Sequence, residues 1–134
     1  MSRQMTEAKM LPVVKRLFPA VEYERRTEVP LASKQVDLCA FPKDKTSPPI
    51  AIELKVYRWR KALWQALVYR QVFSLSYVAL WHEYLHRADL DLFAQAGVGL
   101  ISVQESAATI VLQAKPSPDY QSRRIKELTN GPAE

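Results

Sequence analysis

Residues 34–41, KQVDLCAF, and residues 50–57, IAIELKVY, decide how this chain is read. In the first, Val36, Leu38 and Ala40 alternate with Asp37, Cys39 and Phe41, the period of two that belongs to a strand, with one face carrying Asp37. In the second, Ile50, Ile52, Leu54 and Val56 form an apolar face and leave Ala51, Glu53, Lys55 and Tyr57 on the other, so Glu53 and Lys55 project together. The polar link PKDKTSPP at 42–49 joins them as a turn, and the two strands pair most simply as a hairpin that brings Asp37 within reach of Glu53.

Upstream, VEYERRTEV at 21–29 reads as a half-exposed strand closed by Pro30, and LASKQ at 31–35 as a turn. Before it, Thr6 caps a helix that carries Met10, Leu11, Val14, Leu17 and Phe18 and stops before Pro19; Pro12 either kinks this helix or opens its regular part. Downstream, Trp59, Ala62, Leu63, Ala66, Leu67 and Phe73 share one helical face from Trp59 to about Ser74, with Gln65 and Tyr69 along one edge. YVALW at 77–81 is the apolar run of a buried strand, HEYLHR follows it, and DLDLFAQA forms a helix capped by Asp89 and stopped by Gly97. VGLISVQ and TIVLQA complete the set as strands. The order is α-β-β-β-α-β-α-β-β, a single mixed α/β domain over residues 1–114 with a central sheet flanked by helices, whose IAIELKVY-helix-YVALW portion suits a right-handed parallel crossover. Residues 115–134 form a polar tail with a short helix at Tyr120 to Leu128, where Arg123, Arg124 and Lys126 read as a solvated face.

Composition sets the outer limits. The 134 residues, 48% hydrophobic and 25% charged, make one domain with one core, and three glycines exclude collagen-like and glycine-rich linker architectures. One cysteine, Cys39, excludes an internal disulfide and a multi-thiolate zinc site, which points to a reducing compartment. There is no signal-like apolar stretch, membrane span or internal repeat, so the expectation is a cytoplasmic protein with no membrane partner. A net charge of +5 favours a polyanionic partner only mildly.

An Asp on one strand beside Glu-x-Lys on the next is the arrangement a metal-dependent phosphodiesterase needs: hard oxygens bind Mg²⁺ or Mn²⁺, and the cation serves the nucleophile or phosphate. Two carboxylates about 4 Å apart repel by about 4 kcal/mol at an effective dielectric of 20, and a divalent ion reverses that. The backbone carbonyl of Leu54 offers a further ligand. Glu-x-Lys alone is weak evidence, because Glu7-Ala8-Lys9 repeats it on a helix, where residues two apart diverge by about 200°. Strand context separates the two copies. The plain reading of Glu53 and Lys55 is an ion pair on an exposed sheet face. Arg58, Arg60 and Lys61 interleave with Tyr57, Trp59 and Trp64, a mixture suited to phosphate contact and base stacking, with Arg25 and Arg26 as weaker support; the plain alternative is a packed Trp59 among solvated cations.

QVDLCAF, IAIELKVY and the helix with Gln65-Ala-Leu-Val-Tyr69 together resemble the core of the PD-(D/E)XK nuclease superfamily, and the Gln-x-x-x-Tyr helix is similar to that of its RecB-type members. Val36 stands where the superfamily's name has proline. The resemblance covers about residues 5 to 81 and implies a restriction-endonuclease-like αβββαβ core, with metal-dependent cleavage of DNA as the activity. It implies Asp37 and Glu53 as metal ligands, Lys55 as the catalytic lysine, and Gln65 and Tyr69 as accessory active-site or DNA-contacting groups. Glu7, at helical spacing with Leu11, Val14 and Phe18, is the candidate for the acidic residue that some members carry on the first helix. Single-domain members of this size often dimerise, and others keep the fold as catalytically silent binding modules.

A rival motif is His82-Glu83-Tyr84-Leu85-His86, which fits the zinc-peptidase pattern H-E-x-x-H, with Glu105 as a conceivable third ligand. It begins directly after the strand-like YVALW, where residues four apart point away from one another, so the expectation is strand-end histidines on the surface.

Overall fold

Thr6 accepts a hydrogen bond from the Lys9 amide through its side chain and caps α1 (Glu7–Lys15). The computed structural model describes residues 4–31 and 33–120, and after α1 the chain runs through β1 (Tyr23–Leu31), β2 (Lys34–Pro42), β3 (Ile50–Lys55), α2 (Trp59–Tyr69) and β4 (Leu75–Trp81). A 3-10 helix (His82–Arg87), α3 (Leu90–Ala96), β5 (Gly99–Val103) and β6 (Ala108–Leu112) complete it. The helix after β4 is capped as expected: the Asp89 side chain accepts from the Leu92 amide, and Gly97 closes α3 in the left-handed region at φ 75°.

The strands form one six-stranded mixed sheet in chain order, antiparallel between β1, β2 and β3, parallel from β3 to β4 and β4 to β5, and antiparallel at β6. Chain order across the sheet follows from the connections: tight turns give antiparallel neighbours, and α2 and α3 supply the crossovers that parallel pairing requires. The result is a single α/β domain with both sheet faces covered. Ile50, Ile52 and Leu54 of β3, with Tyr77, Ala79 and Ile101, bury against Met10, Val13, Val14 and Phe18 on the α1 side. Val78, Leu80 and Leu100 bury against Trp59, Ala62, Leu63, Ala66 and Phe93 beneath α2 and α3. Among the described residues no helix is long and apolar enough to cross a membrane.

Three expectations are corrected. Pro12 neither starts nor divides the helix, which is continuous from Glu7; three residues of α1 follow Pro12, so the lost amide donor costs a single bond near its end. Pro30 lies within β1 rather than closing it, which an edge strand tolerates because among the described residues its outer side pairs with nothing, and the turn narrows to the link between Leu31 and Lys34. α2 ends at Tyr69, not near Ser74, and the Phe73 amide donates to the Tyr69 carbonyl, so Phe73 enters the core from a turn. The polar segment after residue 114 is tied back on the domain, with the Ser117 amide on the Ser74 carbonyl and the Ser117 hydroxyl on the Arg70 carbonyl at 2.6 Å. The helix expected at Tyr120 to Leu128 lies, beyond Tyr120, outside the described residues.

Candidate active site

The β2–β3 ladder pairs Ala40 with Ile50, Cys39 with Ala51 and Leu38 with Ile52. The next step of that register sets Asp37 opposite Glu53, and there the ladder opens. Continued, it would offer the Leu54 amide a backbone acceptor; instead the Leu54 amide donates to Asp37 Oδ2 at 2.8 Å. Because the N–H and C=O of one strand residue point to the same side, the Leu54 carbonyl faces this gap as well. A second irregularity lies beside it on β1. Glu28, which the β1–β2 register sets opposite Asp37, has φ 53°, and Val36 joins Val29 and Cys39 under α2 while Leu38 stays on the α1 side. A regular strand would keep Val36 and Leu38 on one face, as the alternation predicts; the break at Asp37 corrects it.

Glu53 is 2% exposed. The Tyr69 hydroxyl donates to Glu53 Oε1 at 2.7 Å and also to the Gln35 carbonyl at 3.1 Å. Burial pushes the Glu53 carboxyl up to about 8; the Tyr69 hydroxyl opposes this, the neighbouring Asp37 reinforces it, and the Lys55 ammonium opposes it again. Burial likewise drives the Tyr69 hydroxyl far above its ordinary range, with the bond to Glu53 adding to the effect, so Tyr69 acts as a fixed donor. Lys55 Nζ lies 3.9 Å from Glu53 Oε2 and 3.8 Å from Glu7 Oε2, bridging groups from β3 and from the first turn of α1. Cys39 is buried and its thiol is raised by desolvation, which removes it as a nucleophile.

Glu7, Glu28, Asp37 and Leu54 help line a cavity of about 290 Å³. Glu28 was not on the sequence-derived site. Its signal was the tight β1–β2 turn, which fixes the register facing Asp37, but a left-handed Glu is invisible to strand patterning. With Glu53 behind them, four carboxyl groups and one ammonium, Lys55, occupy this end of the sheet in a chain of net charge +5.

Gln65 Oε1 is buried without a hydrogen-bond partner among the described residues. α2 joins two parallel strands and therefore runs antiparallel to β3. Gln65 lies one helical turn before Tyr69 on α2, and Tyr69 reaches Glu53. The structure thus brings together Asp37, Glu53, Lys55, Tyr69 and Glu7, with the Leu54 backbone in the same gap. Tyr69 is fully buried, which corrects its expected contact with nucleic acid: it belongs to the core face of α2 and holds Glu53.

These donors suit a hard divalent cation. Among the described residues no three His, Cys, Asp or Glu side chains are grouped closely enough to hold a metal by themselves. Mg²⁺ commonly takes one or two carboxylates and completes its shell with water and substrate phosphate, so Asp37, Glu53 and the Leu54 carbonyl fit a partial shell of that kind.

Arg58, Arg60 and Lys61 lie at the start of α2 and, with Tyr57, Trp59 and Arg87, line an open recess of about 430 Å³. Arg26 is held by Glu24 at 2.6 Å on the outer hairpin and has no place in this recess. The H-E-x-x-H stretch folds as a 3-10 helix with three residues per turn, so His82 and His86 are 120° apart around it and do not share a face. Glu83 Oε1 accepts from Trp81 Nε1 at 2.9 Å, which occupies the carboxylate that a zinc peptidase needs for water.

No family model and no curated protein matches the chain. Among solved structures it is similar to SPO1766, a protein of unknown function from Silicibacter pomeroyi, at 21% identity and a TM-score of 0.72, covering 96% of this chain and 84% of that one. The likeness extends over the whole α/β architecture described above.

Proposed function

We propose that the chain is a restriction-endonuclease-like nuclease that hydrolyses phosphodiester bonds in DNA with Mg²⁺ or Mn²⁺. One observation carries this reading: the β2–β3 ladder opens at Asp37, and the gap collects Asp37, buried Glu53, Lys55 and Glu7 at the carboxyl end of β3. Asp37, Glu53 and the Leu54 carbonyl would hold the cation, which supplies charge neutralisation at the phosphate and a more acidic water. Glu53, buried and facing a second carboxyl, holds a proton up to about pH 8, and a divalent ion favours its release. Tyr69 fixes the Glu53 carboxyl by donating to Oε1, leaving Oε2 toward Lys55. Lys55 stabilises negative charge that grows on the phosphate oxygens as the bond to the leaving oxygen lengthens. Gln65 orients a water through Oε1, and Arg58, Arg60 and Lys61 take flanking phosphates.

The test is a cleavage assay with Mg²⁺ and Mn²⁺ on single-stranded, duplex and branched DNA, comparing the chain with Asp37→Ala and Glu53→Ala. Metal-dependent cleavage that disappears in both variants is expected. Undiminished cleavage by Glu53→Ala overturns the site, and binding of DNA without cleavage by the unaltered chain makes it a silent module of the same fold.

A further inference from the structure

The recess at the start of α2 is lined by four cations, Arg58, Arg60, Lys61 and Arg87, and by two aromatic residues, with no acid among them. None of the four has a carboxylate within ion-pair distance among the described residues. The first turn of α2 also lacks an acidic residue, so the positive end of the helix adds to the same field. Assembling like charges there is unfavourable for the free protein, and a phosphate relieves it. Arg87 comes from the 3-10 helix after β4, which draws that otherwise unused segment into the same surface.

Tyr57 lines this recess and also a second cavity of about 350 Å³, whose walls include Val56, Trp81 and Tyr84. Tyr57 is 49% exposed, and its ring centroid lies 5.7 Å from that of Tyr84. Arg87 lies over Tyr84 at 4.8 Å, and Arg58 over Tyr57 at 5.9 Å. An aromatic wall therefore separates a cationic compartment from an aromatic one, and the second also holds the Gln4 amide and the Glu83 carboxylate, which Trp81 Nε1 engages. A nucleotide has that same division, a charged phosphate beside a flat base. In a duplex the base is stacked and paired and cannot leave its partner for a protein cavity without a cost of a few kcal/mol. An unpaired base turns out freely.

We infer that the substrate of this site is single-stranded DNA, held with a phosphate in the Arg58–Arg60–Lys61–Arg87 recess and a base against Tyr57 and Tyr84. This inference rests on the nuclease reading above, because both compartments lie just past Lys55 at the same end of β3. It goes further by naming the strand state of the substrate, by giving Tyr57 a base to stack on and by adding Tyr84 and Arg87 to the groups that contact it.

The test is fluorescence anisotropy of the full chain with a labelled oligothymidylate of about 15 nucleotides, a blunt duplex of equal length and heparin, all in EDTA so that cleavage does not enter. Single strand is expected to bind at least about tenfold tighter than duplex. Arg87→Ala should weaken single-strand binding roughly five- to tenfold and lower the slope of log affinity against log salt by about 0.7, the share of one phosphate contact. Tyr57→Leu, at an exposed position, should weaken it roughly tenfold with an unchanged salt slope and leave heparin binding unaltered. Duplex bound as tightly as single strand, or Tyr57→Leu without effect on single-strand affinity, overturns the inference and leaves a plain polyanion patch. If these binding results hold while Mn²⁺ elicits no cleavage, the nuclease reading fails and the single-strand surface stands; if Mn²⁺-dependent cleavage occurs and Tyr57→Leu leaves single-strand affinity intact, the reverse is true.

Discussion

Two neighbouring parallel strands, β3 and β4, each run at their carboxyl ends into a motif with metal-binding spacing, and only one of them converges. Glu53-Leu54-Lys55 lies on a strand, where residues two apart share a face, and Lys55 Nζ stands 3.9 Å from Glu53 Oε2. His82 to His86 are spaced for an α-helix but fold as a 3-10 helix, and both histidines are exposed. A third case sharpens the contrast. In Glu7-Ala8-Lys9, on α1, Glu7 turns to Lys55 while the Lys9 ammonium donates to the Gln4 carbonyl at 3.2 Å. A motif brings its side chains together when its spacing matches the period of the element that bears it.

The largest effects should come from the converging motif. Asp37→Ala or Glu53→Ala is expected to lower metal-dependent cleavage by more than about a hundredfold, since even an outer partner of a metal ligand can carry that much. Circular dichroism and melting temperature should show a folded chain, because Asp37→Ala removes a charge that disfavours ionised Glu53 and Glu53→Ala removes a carboxyl that burial disfavours once ionised. Lys55→Ala should lower kcat far more than DNA affinity in single-turnover assays; equal losses would reduce Lys55 to an ordinary phosphate contact.

Stability gives a second, independent check on Glu53. Its carboxyl is raised from an ordinary 4.5 to about 8, burial being the first cause. Below pH 4.5 both folded and unfolded chains hold the proton, whereas between 4.5 and 8 the folded chain binds more protons. The stability of the chain in EDTA should therefore fall as pH rises through that window, by an amount on the order of a few kcal/mol, and level off above it. Urea unfolding of Glu53→Gln should show this component of the slope removed; a slope equal to that of the unaltered chain would place the titration elsewhere.

A smaller effect is expected at Tyr69. Its hydroxyl donates to Glu53 Oε1 and so favours the ionised carboxyl. Tyr69→Phe keeps the ring in the core but removes the donor, which raises the Glu53 carboxyl further and moves the pH at which Mn²⁺ binds half-maximally upward. Calorimetric Mn²⁺ titrations at a series of pH values read this directly, and an unmoved midpoint would make Tyr69 a packing residue alone.

The element order and the nearness of Asp37 to Glu53 were legible because alternation in β2 and β3 is strong and the link between them is short. The site's finer structure was not. Asp37 accepts from the Leu54 amide because the ladder opens beside Glu28, and a left-handed Glu28 leaves no mark on hydrophobic periodicity. Tyr69 reads as an edge residue by angle around α2, yet the helix stops there and its ring fills the core. Arg87 joins Arg58, Arg60 and Lys61 only through the fold, since 25 residues of sequence separate it from Lys61.

The smallest effect should come from the motif that does not converge. Zinc held by two histidines and activated by a glutamate requires both imidazoles on one helical face, and a three-residue turn sets His82 and His86 120° apart. Glu83 is already engaged by Trp81 Nε1, and the Trp81 and His82 rings meet edge to face at 4.7 Å, so His82 is placed by packing on β4's last residue. His82→Ala with His86→Ala is therefore expected to leave Mn²⁺-dependent cleavage within a few-fold, and elemental analysis of the purified chain should find no stoichiometric zinc. The loss of one edge-to-face contact costs about 1 kcal/mol, so a small drop in melting temperature is compatible with this outcome. Zinc bound one to one by the unaltered chain and lost in the double variant would restore the rival motif and break the contrast between β3 and β4.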